Sequence, residues 1–387
     1  MTNLLYPLQA LREGHWFKLI CGASFQNLPA IRSLTLAYAL AGADCIDVAA
    51  DPAVIFAARE ALQTAGNFAG EASSRGFRHI SPWLMVSLND GEDPHFRKAE
   101  FDPTSCPSDC PRPCESICPA RAIAFDPNGF SGVINSRCYG CGRCLPICPI
   151  EIIETRSHRL TPAAIAPLVL TGVDAVEIHT QVGRLEDFAK LWEAIAPHTS
   201  SLKLIAISCP DGEGLIDYLK VLYNLISPLP CALVWQTDGR PMSGDIGDGA
   251  TRAAVKLGQK VLAAELPGYV QLAGGTNNHT VKKLRMQGLL RASGNRRAIA
   301  GIAYGSYARA LLSPVLDRLE GASRHPPAHL PKHLPIHQSI HSSTRLEDFP
   351  DLLWECVHLA HTLISPLKTM PLKPVIPEVL PLAGITQ

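Results

Sequence analysis

Eight of the thirteen cysteines in this 387-residue chain fall between positions 106 and 148. They form two groups of four: Cys106, Cys110, Cys114 and Cys118, then Cys138, Cys141, Cys144 and Cys148. The second group is followed by Pro149 and has the C-x2-C-x2-C-x3-C-P spacing that is typical of bacterial ferredoxins. Thiolates at this spacing ligate iron–sulfur clusters, so the sequence predicts electron-transfer chemistry in this stretch.

The ferredoxin pattern also predicts which cysteines share a cluster, because the fourth cysteine of each run ligates the other cluster. One predicted [4Fe–4S] cluster uses Cys138, Cys141, Cys144 and Cys118. The other uses Cys106, Cys110, Cys114 and Cys148. The first group has wider spacing than the ferredoxin pattern, with three residues between successive cysteines. A three-iron cluster, or a cluster with one labile ligand, is therefore an alternative at the site formed by Cys106, Cys110, Cys114 and Cys148.

Zinc binding and disulfide formation are the two other roles open to these cysteines. Two structural zinc ions are an alternative, since C-x2-C is also a zinc-ribbon spacing. A disulfide framework is disfavoured because the first residues, MTNLLYPLQALREGHW, do not resemble a secretory leader, which predicts a reducing cytoplasmic location. The scattered cysteines are predicted to be small buried apolar residues. These are Cys21, Cys45, Cys209, Cys231 and Cys356.

Composition bounds the remaining possibilities. With 47% hydrophobic and 18% charged residues, the chain can bury a barrel-sized core and still form a small second domain. The formal net charge is zero, and no basic run is interleaved with aromatic residues, which argues against nucleic acid as a partner. No apolar run approaches the ~20 residues of a membrane span, so membrane association is expected to be peripheral at most.

Outside the cysteine-rich stretch, short apolar runs alternate with amphipathic helical runs. The predicted strands are 16–24, 43–51, 82–90, 174–180, 202–210, 231–239, 268–276 and 298–306. Each is followed by a helical pattern, which predicts right-handed crossovers and a parallel sheet. Eight such units predict an α/β fold, a (β/α)8 barrel, with an open doubly wound sheet as the alternative. The cysteine-rich stretch interrupts the third unit, so a two-cluster, ferredoxin-like domain is predicted to be inserted after strand 3.

The predicted domains follow from this alternation. They are the first part of the barrel (1–95), the ferredoxin-like domain (96–157), the remainder of the barrel (158–321), a linker (322–343) and a C-terminal helical extension with a disordered tail (344–387). The linker carries histidines at every fourth position from His325 to His341. Its prolines forbid a regular helix, so an extended conformation is predicted, with transient metal binding as the minor alternative.

The barrel interpretation also predicts a phosphate site. Barrels often bind phosphate through the loops after strands seven and eight. In this chain those loops contain Gly274, Gly275, Thr276, Gly305 and Ser306. The glycines permit close backbone approach and the hydroxyls are donors, so flavin mononucleotide (FMN) is a candidate cofactor. The polar loop 238–245 adds to this interpretation, although ordinary turns use the same residues.

Further polar residues lie at or just past the predicted strand ends, where barrel active sites form. They are Ser24, Asp51, Asn89, His179, Asp211, Gln236 and Asp238. Glu177 and His179 share a parity on the fourth strand and are predicted to point into the barrel. A charged residue in that position needs a partner.

Three segments carry a resemblance to a known family. They are WFKLICGASFQNLPAIRSL (16–34), DPHFRKAEFDPTSCPSDCPRPCESICP (93–119) and VWQTDGRPMSGDIGDGATRAA (234–254). Together they resemble the cyanobacterial light-dependent period proteins over roughly residues 1–320. The resemblance implies a cytoplasmic iron–sulfur protein that conveys the redox state set by photosynthetic electron flow to the circadian clock. The resemblance also implies partners. The quinone pool or a ferredoxin would be the redox partner, and clock input proteins would be the signalling partners.

Three functional hypotheses remain at this point. The first is a redox sensor whose clusters exchange electrons with that pool. The second is an iron–sulfur oxidoreductase in which flavin at the barrel mouth reduces a small organic substrate. The third is an electron-transfer subunit of a larger complex. A flavin bound near the inserted domain would separate the second hypothesis from the other two.

Overall fold

The fold was analysed in a computed structural model. It describes residues 6–21, 28–91, 97–118, 121–126, 129–135, 137–138, 144–157, 162–239, 251–290, 298–324 and 345–368. The predicted linker histidines His325 to His341, the loop residues 240–245, Ser24 and Cys141 lie outside these ranges.

Eight parallel strands form a closed barrel within the described residues. The strands are β1 (Trp16–Ile20), β2 (Cys45–Ala49), β3 (Trp83–Asn89), β8 (Ala175–His179), β9 (Leu204–Pro210), β10 (Ala232–Asp238), β11 (Tyr269–Ala273) and β12 (Gly301–Tyr304). β1 pairs with both β2 and β12, which closes the sheet. The barrel prediction is confirmed, and the open doubly wound sheet is excluded.

Helices surround the barrel and follow its strands. They are α2 (Leu28–Ala41), α3 (Pro52–Asn67), α4 (Ala69–Ser74), α6 (Pro162–Val169), α7 (Leu185–Ile195), α8 (Leu215–Ile226), α9 (Thr251–Ala263), α10 (Thr280–Met286) and α11 (Ser306–Arg324). Sequence chemistry sets several of their ends. α3 begins at Pro52, and the Asp51 carboxylate caps it by accepting a hydrogen bond from Ala53 N at 2.7 Å.

Glycine is required at one of these ends. Gly42, just after α2, has φ +100°, which L side chains rarely adopt, and a Cβ there would lie 2.9 Å from the Arg78 carbonyl oxygen. The turn from α2 into β2 therefore depends on the absence of a side chain.

Two helices flank the barrel without belonging to a β/α unit. α1 (Tyr6–Glu13) precedes β1, and the sequence analysis assigned no element to these residues. α12 (Pro350–Lys368) packs on α2, α11 and β1. This contact explains why α2 is buried from Ile31 through Ala41 instead of along one stripe only.

The base of the barrel is filled by large side chains. Trp16 packs edge-on against Trp83, with ring centroids 5.7 Å apart, beside Met85. Trp16 fits because the neighbouring strand has glycine at Gly301, where a Cβ would lie 2.5 Å from the indole Cδ1. The amino-terminal end of the barrel is therefore closed by packing.

The cysteine-rich segment leaves the barrel after β3 and returns at α6. It contains β4 (Arg97–Glu100), α5 (Pro113–Ile117), β5 (Ile123–Phe125), β6 (Ser131–Val133) and β7 (Glu154–Ser157). β4 pairs antiparallel with β7, and β5 with β6. The predicted position of this domain, after strand 3 and at the carboxyl ends of the barrel strands, is confirmed.

Candidate metal centre and barrel interior

The cysteines of the inserted domain gather in its small core. Cys114, Cys138, Cys144 and Cys148 are buried there, and Cys118 packs against them. Cys106 and Cys110 are partly exposed. Apolar residues of β4, β5 and the segment before β7 surround the thiols, namely Ala99, Ala122, Ile123 and Ile153. The eighth predicted ligand, Cys141, lies outside the described residues.

Charge on neighbouring thiols adds to the pKa shifts of two of these cysteines, Cys106 and Cys114. Burial raises the pKa of Cys114 to about 11, and negative charge on Cys148 and Cys106 adds to the shift. Burial also raises the pKa of Cys106, together with its hydrogen bond to Cys110 and charge on Cys110 and Cys148. Cys106, Cys110, Cys114 and Cys148 are therefore neighbours. This is the proximity that the crossed ligand assignment requires of them.

Backbone N–H groups point at several of the sulfurs. Ala99 N donates to Cys138 Sγ at 3.3 Å, and Ala122 N to Cys118 Sγ at 3.2 Å. At Cys148, burial raises the thiol pKa, but the N–H groups of residues 150–153 outweigh burial and hold the pKa below its usual value. Hydrogen bonds of this kind stabilise thiolate ligands and tune iron–sulfur clusters.

The donor set therefore fits iron–sulfur ligation. It combines soft thiol ligands, an apolar surrounding for the four buried thiols and N–H donors to sulfur. Among the described residues, no group of three His, Cys, Asp or Glu is arranged to hold a single metal ion.

The scattered cysteines lie apart from this domain. Cys21, Cys45, Cys209 and Cys356 are buried, while Cys231 is partly exposed. Burial raises the pKa of Cys21 and Cys356 to about 12. Thiols of this kind are protonated at neutral pH and behave as small apolar side chains, as predicted.

A second concentration of polar groups fills the middle of the barrel. Lys18 of β1 is fully buried. Its ammonium group donates to Glu177 Oε2, and to Asp47 Oδ2 at 3.1 Å. Glu177 thus points inward, as its parity predicted, and Lys18 is the partner that a charged residue there needs.

Sequence reasoning missed Lys18. The available signal was a single lysine inside the apolar run WFKLI, at a position of the same inward parity as Trp16. Lysine is ordinarily exposed to solvent, whereas the closed barrel gives every alternate position of β1 to the interior.

Hydrogen bonds extend this network around the barrel. Gln236 Nε2 donates to Glu177 Oε1 at 2.6 Å, and Gln271 Nε2 donates to Gln236 Oε1 at 2.6 Å. Trp16 Nε1 completes the series by donating to Gln271 Oε1 at 2.7 Å.

The network also reaches the carboxyl end of the strands. Ser208 Oγ donates to Asp238 Oδ2, and Gln236 Nε2 donates to Asp238 Oδ1 at 3.2 Å. The side chain of His179 lies above Glu177, with Nε2 3.3 Å from Oε1. Three of the predicted rim residues, His179, Gln236 and Asp238, are therefore brought together around Glu177.

Among the described residues, this network contains the carboxyl groups of Asp47, Glu177 and Asp238 and the ammonium group of Lys18. Burial raises the pKa of Asp47 to about 6, with Lys18 opposing the shift. Burial raises the pKa of Asp238 to about 7, and the charge of Glu177 adds to it. The Lys18 pKa is raised because its two carboxylate partners outweigh burial. Asp238 is therefore partly protonated near neutral pH.

The other predicted rim residues do not join the network. Asn89 is exposed, and its Oδ1 accepts a hydrogen bond from Gly91 N at 2.9 Å. Asp211 is exposed and bonds Lys260 Nζ at 2.6 Å. Asp51 caps α3 and faces the inserted domain, where its Oδ2 lies 3.6 Å from Lys98 Nζ.

Some features of the predicted phosphate loops favour anion binding and others do not. Gly274 and Gly275 adopt φ +64° and +107°, conformations that favour glycine. The Thr276 hydroxyl donates to the Ala303 carbonyl at 2.5 Å, so its proton is already used. Gly305 precedes α11, which begins at Ser306, and a Cβ at Gly305 would lie 3.5 Å from Arg309 Nη1.

These features define an iron–sulfur protein in which a cysteine-rich domain is inserted at the rim of a (β/α)8 barrel. The profile of the light dependent period A C-terminal domain matches residues 168–366. The profile of the LdpA Fe-S cluster-binding domain matches residues 106–159. The chain is also 49% identical to "Light dependent period A" of Synechococcus elongatus (strain ATCC 33912 / PCC 7942 / FACHB-805), over 94% of each chain. It belongs to the light-dependent period A family.

Two further similarities are narrower. Fifty-eight residues are 40% identical to "Thiosulfate reductase electron transfer subunit PhsB" of Salmonella typhi, covering 15% of this chain and 29% of that protein. A tryptophan synthase structure from Mycobacterium tuberculosis superposes with a TM-score of 0.40 at 12% identity, covering 95% of this chain and 98% of that chain. Neither similarity assigns an activity to this chain.

None of the described helices has the length and apolar character needed to cross a lipid bilayer.

Proposed function

We propose that this protein is an iron–sulfur redox sensor that conveys the redox state set by light-driven electron flow to the circadian clock. The observation that carries the proposal is the inserted domain. Seven described cysteines lie within it, with backbone N–H donors aimed at sulfur, and it lies at the barrel rim of a light-dependent period family member. When bound, the clusters supply one-electron transfer.

Residues of the chain have distinct roles in this proposal. Cys138, Cys141, Cys144 and Cys118 would hold one [4Fe–4S] cluster, and Cys106, Cys110, Cys114 and Cys148 the other. Ala99 N and Ala122 N hold negative charge at the sulfurs of Cys138 and Cys118. The apolar residues of the small core shield the thiols of Cys114, Cys138, Cys144 and Cys148 from water.

The proposed redox partner is the quinone pool or a ferredoxin, and the proposed signalling partners are clock input proteins of the cytoplasm. A ratio of reduced to oxidised protein changes tenfold for ~59 mV in a one-electron couple. Ordinary swings of such a pool are therefore sufficient for sensing if the cluster potentials lie nearby. The name of the Salmonella relative, an electron transfer subunit, supports the electron-transfer part of the proposal.

A flavin-dependent oxidoreductase is the competing function. The left-handed backbone at Gly274 and Gly275 favours it, because it allows close approach of an anion to the loop. Against it, Lys18, the buried cation of the described barrel interior, is already paired with two carboxylates and is not available as a counterion for a phosphate.

Cofactor analysis of one anaerobic preparation separates these functions. The sensor proposal expects about eight irons and equal acid-labile sulfide per chain, without flavin. Stoichiometric FMN beside the irons would instead establish the oxidoreductase. Zinc in place of iron would contradict both.

Period measurements test the clock role. In a Synechococcus elongatus strain lacking its own relative, the wild-type chain should restore the dependence of circadian period on light intensity. The Cys144→Ser variant should not, while Cys231→Ser, which lies outside the inserted domain, should behave as wild type. Full restoration by Cys144→Ser would refute the sensor role of that cluster.

A further inference from the structure

The inserted domain is joined to the barrel through a buried lysine. Lys98 lies on β4 and is 9% exposed. Its Nζ donates to the Asn135 carbonyl at 2.5 Å, and lies 3.6 Å from Asp51 Oδ2. One ammonium group is therefore shared between a loop of the inserted domain and a carboxylate of the barrel.

The inserted-domain side of this link is attached to a predicted cluster ligand. Ala99, the residue after Lys98, donates its N–H to Cys138 Sγ at 3.3 Å. Asn135, whose carbonyl accepts from Lys98, lies in the turn that precedes Cys138, where Cys138 N donates to the Ile134 carbonyl at 3.1 Å. A displacement or a new charge at Cys138 would therefore act on the two backbone segments that hold Lys98, namely β4 and the turn at Asn135.

The barrel side of the link is a helix terminus. Asp51 is 1% exposed, follows β2, and its Oδ1 accepts from Ala53 N at 2.7 Å in the first turn of α3. A carboxylate at this position stabilises the helix both as a cap and through the helix dipole. Its strength as a cap depends on how strongly Lys98 competes for its negative charge.

We propose that Lys98 and Asp51 form the coupling element through which the charge state at Cys138 changes the stability of the first turn of α3. If a cluster held at Cys138 accepts one electron from the proposed quinone or ferredoxin partner, which is oxidised in exchange, negative charge near Cys138 would increase, draw Lys98 towards the inserted domain and free Asp51 for the cap. The barrel rim then responds to a redox event in the inserted domain. This inference rests on the proposed redox function, and it specifies which residues transmit the signal.

Amide hydrogen exchange at Ala53 and Val54 is the direct readout, measured on the cluster-loaded full chain in oxidised and reduced samples. In the wild-type protein these amides should exchange about two- to fivefold more slowly after reduction, the size of a charge effect at a helix terminus. Lys98→Met, which keeps the aliphatic stem but removes the charge, should abolish this difference. Lys98→Arg should restore it.

A matched control lies directly across the same sheet. Arg156 of β7 pairs with Lys98 in the β4–β7 register but is exposed, and its guanidinium bonds Glu100. Arg156→Met removes an equal charge without touching the barrel and should keep the wild-type redox difference. If Lys98→Met also keeps it, the coupling proposal is wrong.

A second variant tests the coupling without altering the inserted domain, where a substitution could impair iron loading. Asp51→Asn retains a capping side chain and leaves the inserted domain unchanged, so it should also abolish the redox difference even if Lys98→Met fails to load iron. The outcomes also distinguish failure of the coupling proposal from failure of the proposed redox function. Redox-dependent exchange elsewhere in the wild-type chain, but not at residues 53 and 54, would overturn the coupling proposal and leave the redox-sensor proposal unaffected. Exchange that is identical everywhere in both redox states would overturn the sensor itself.

Discussion

The ammonium group of Lys18 has no access to solvent and lies between the carboxylates of Asp47 and Glu177. Removing one partner of a buried ion pair costs more than the pair contributes, because it leaves an uncompensated charge in a medium of low dielectric constant. In this barrel the loss of Lys18 would leave three carboxyl groups without a cation in the network.

We therefore predict that Lys18→Met lowers the free energy of unfolding by about 3–5 kcal/mol at pH 8. Urea denaturation followed by circular dichroism measures this change. Lys260→Met is the control, since Lys260 and Asp211 form an exposed pair whose loss should cost less than about 1 kcal/mol. Equal effects of the two substitutions would show that the buried ion pairs of Lys18 contribute no more to the free energy of unfolding than an exposed pair does.

The raised pKa of Asp238 predicts that the free energy of unfolding depends on pH. Its pKa is about 7 in the folded protein and near 3.8 when unfolded, so the folded state binds the extra proton between these values. The free energy of unfolding should therefore fall as pH rises towards 7, and level off above it. Asp238→Asn removes this proton, while its amide can still donate to Ser208 and accept from Gln236.

The measurement is the unfolding free energy of both proteins at pH 5 and pH 8. Relative to wild type, Asp238→Asn should gain roughly 2.5 kcal/mol of stability over this interval, since about two pH units lie between pH 5 and the folded pKa and each corresponds to about 1.4 kcal/mol. The exposed Asp211→Asn substitution should leave the pH profile parallel to that of the wild type. A profile for Asp238→Asn that is as steep as the wild-type profile would place the proton elsewhere.

The crossed ligand assignment makes a separate prediction for Cys144 and Cys148, which are four residues apart. Cys144→Ser should remove the cluster that includes Cys138, whereas Cys148→Ser should damage the one that includes Cys106 and Cys114. Iron counts and the EPR spectra of the two reduced variants would show different residual signals. The same residual signal in both variants would contradict the crossed scheme.

Among the elements, the inserted domain and the barrel differ in how they are stabilised. The described part of the inserted domain has two short two-stranded sheets, which are marginal on their own. Its core consists largely of the cysteines and a few apolar neighbours. The barrel strands and helices, by contrast, share one large continuous core.

Loss of the clusters should therefore loosen the inserted domain first. In a Cys144→Ser/Cys148→Ser double variant, limited proteolysis should cut within residues 97–157 before any other part of the described structure. The barrel fragments should stay associated, with little change in the thermal transition of the barrel. Initial cleavage inside β1 or β2 would show instead that the barrel depends on the inserted domain.

The elements also show what local sequence patterns could predict. Each barrel strand falls inside its predicted range, because alternating apolar runs and helical periods are local properties. The docking of α12 was not predictable in the same way. It depends on contacts such as that of Arg32, which donates at 2.7 Å to Glu347, in the turn just before α12, across more than three hundred residues of sequence.

For the molecule as a whole, the metal centre was more predictable than the barrel interior. The spacing of cysteines reports cluster chemistry directly, since a cluster constrains the chain locally. The partners of Lys18, and the contact of Lys98 with Asp51, depend on closure of the sheet and on how the inserted domain lies against the rim. Sequence spacing carries no information about either.

The described ends of the chain lie together at the base of the barrel. Lys368 Nζ, at the end of α12, bonds Asp44 Oδ1 at 2.6 Å just before β2 begins, and lies 3.4 Å from His15 Nδ1, which follows α1. The cysteines of the inserted domain lie at the opposite pole, at the carboxyl ends of the strands. A fusion partner or surface attachment behind residue 368 would thus hold the molecule from the rear and leave the inserted domain turned towards solution, an orientation suited to electrodes and to pull-down of the proposed redox partners.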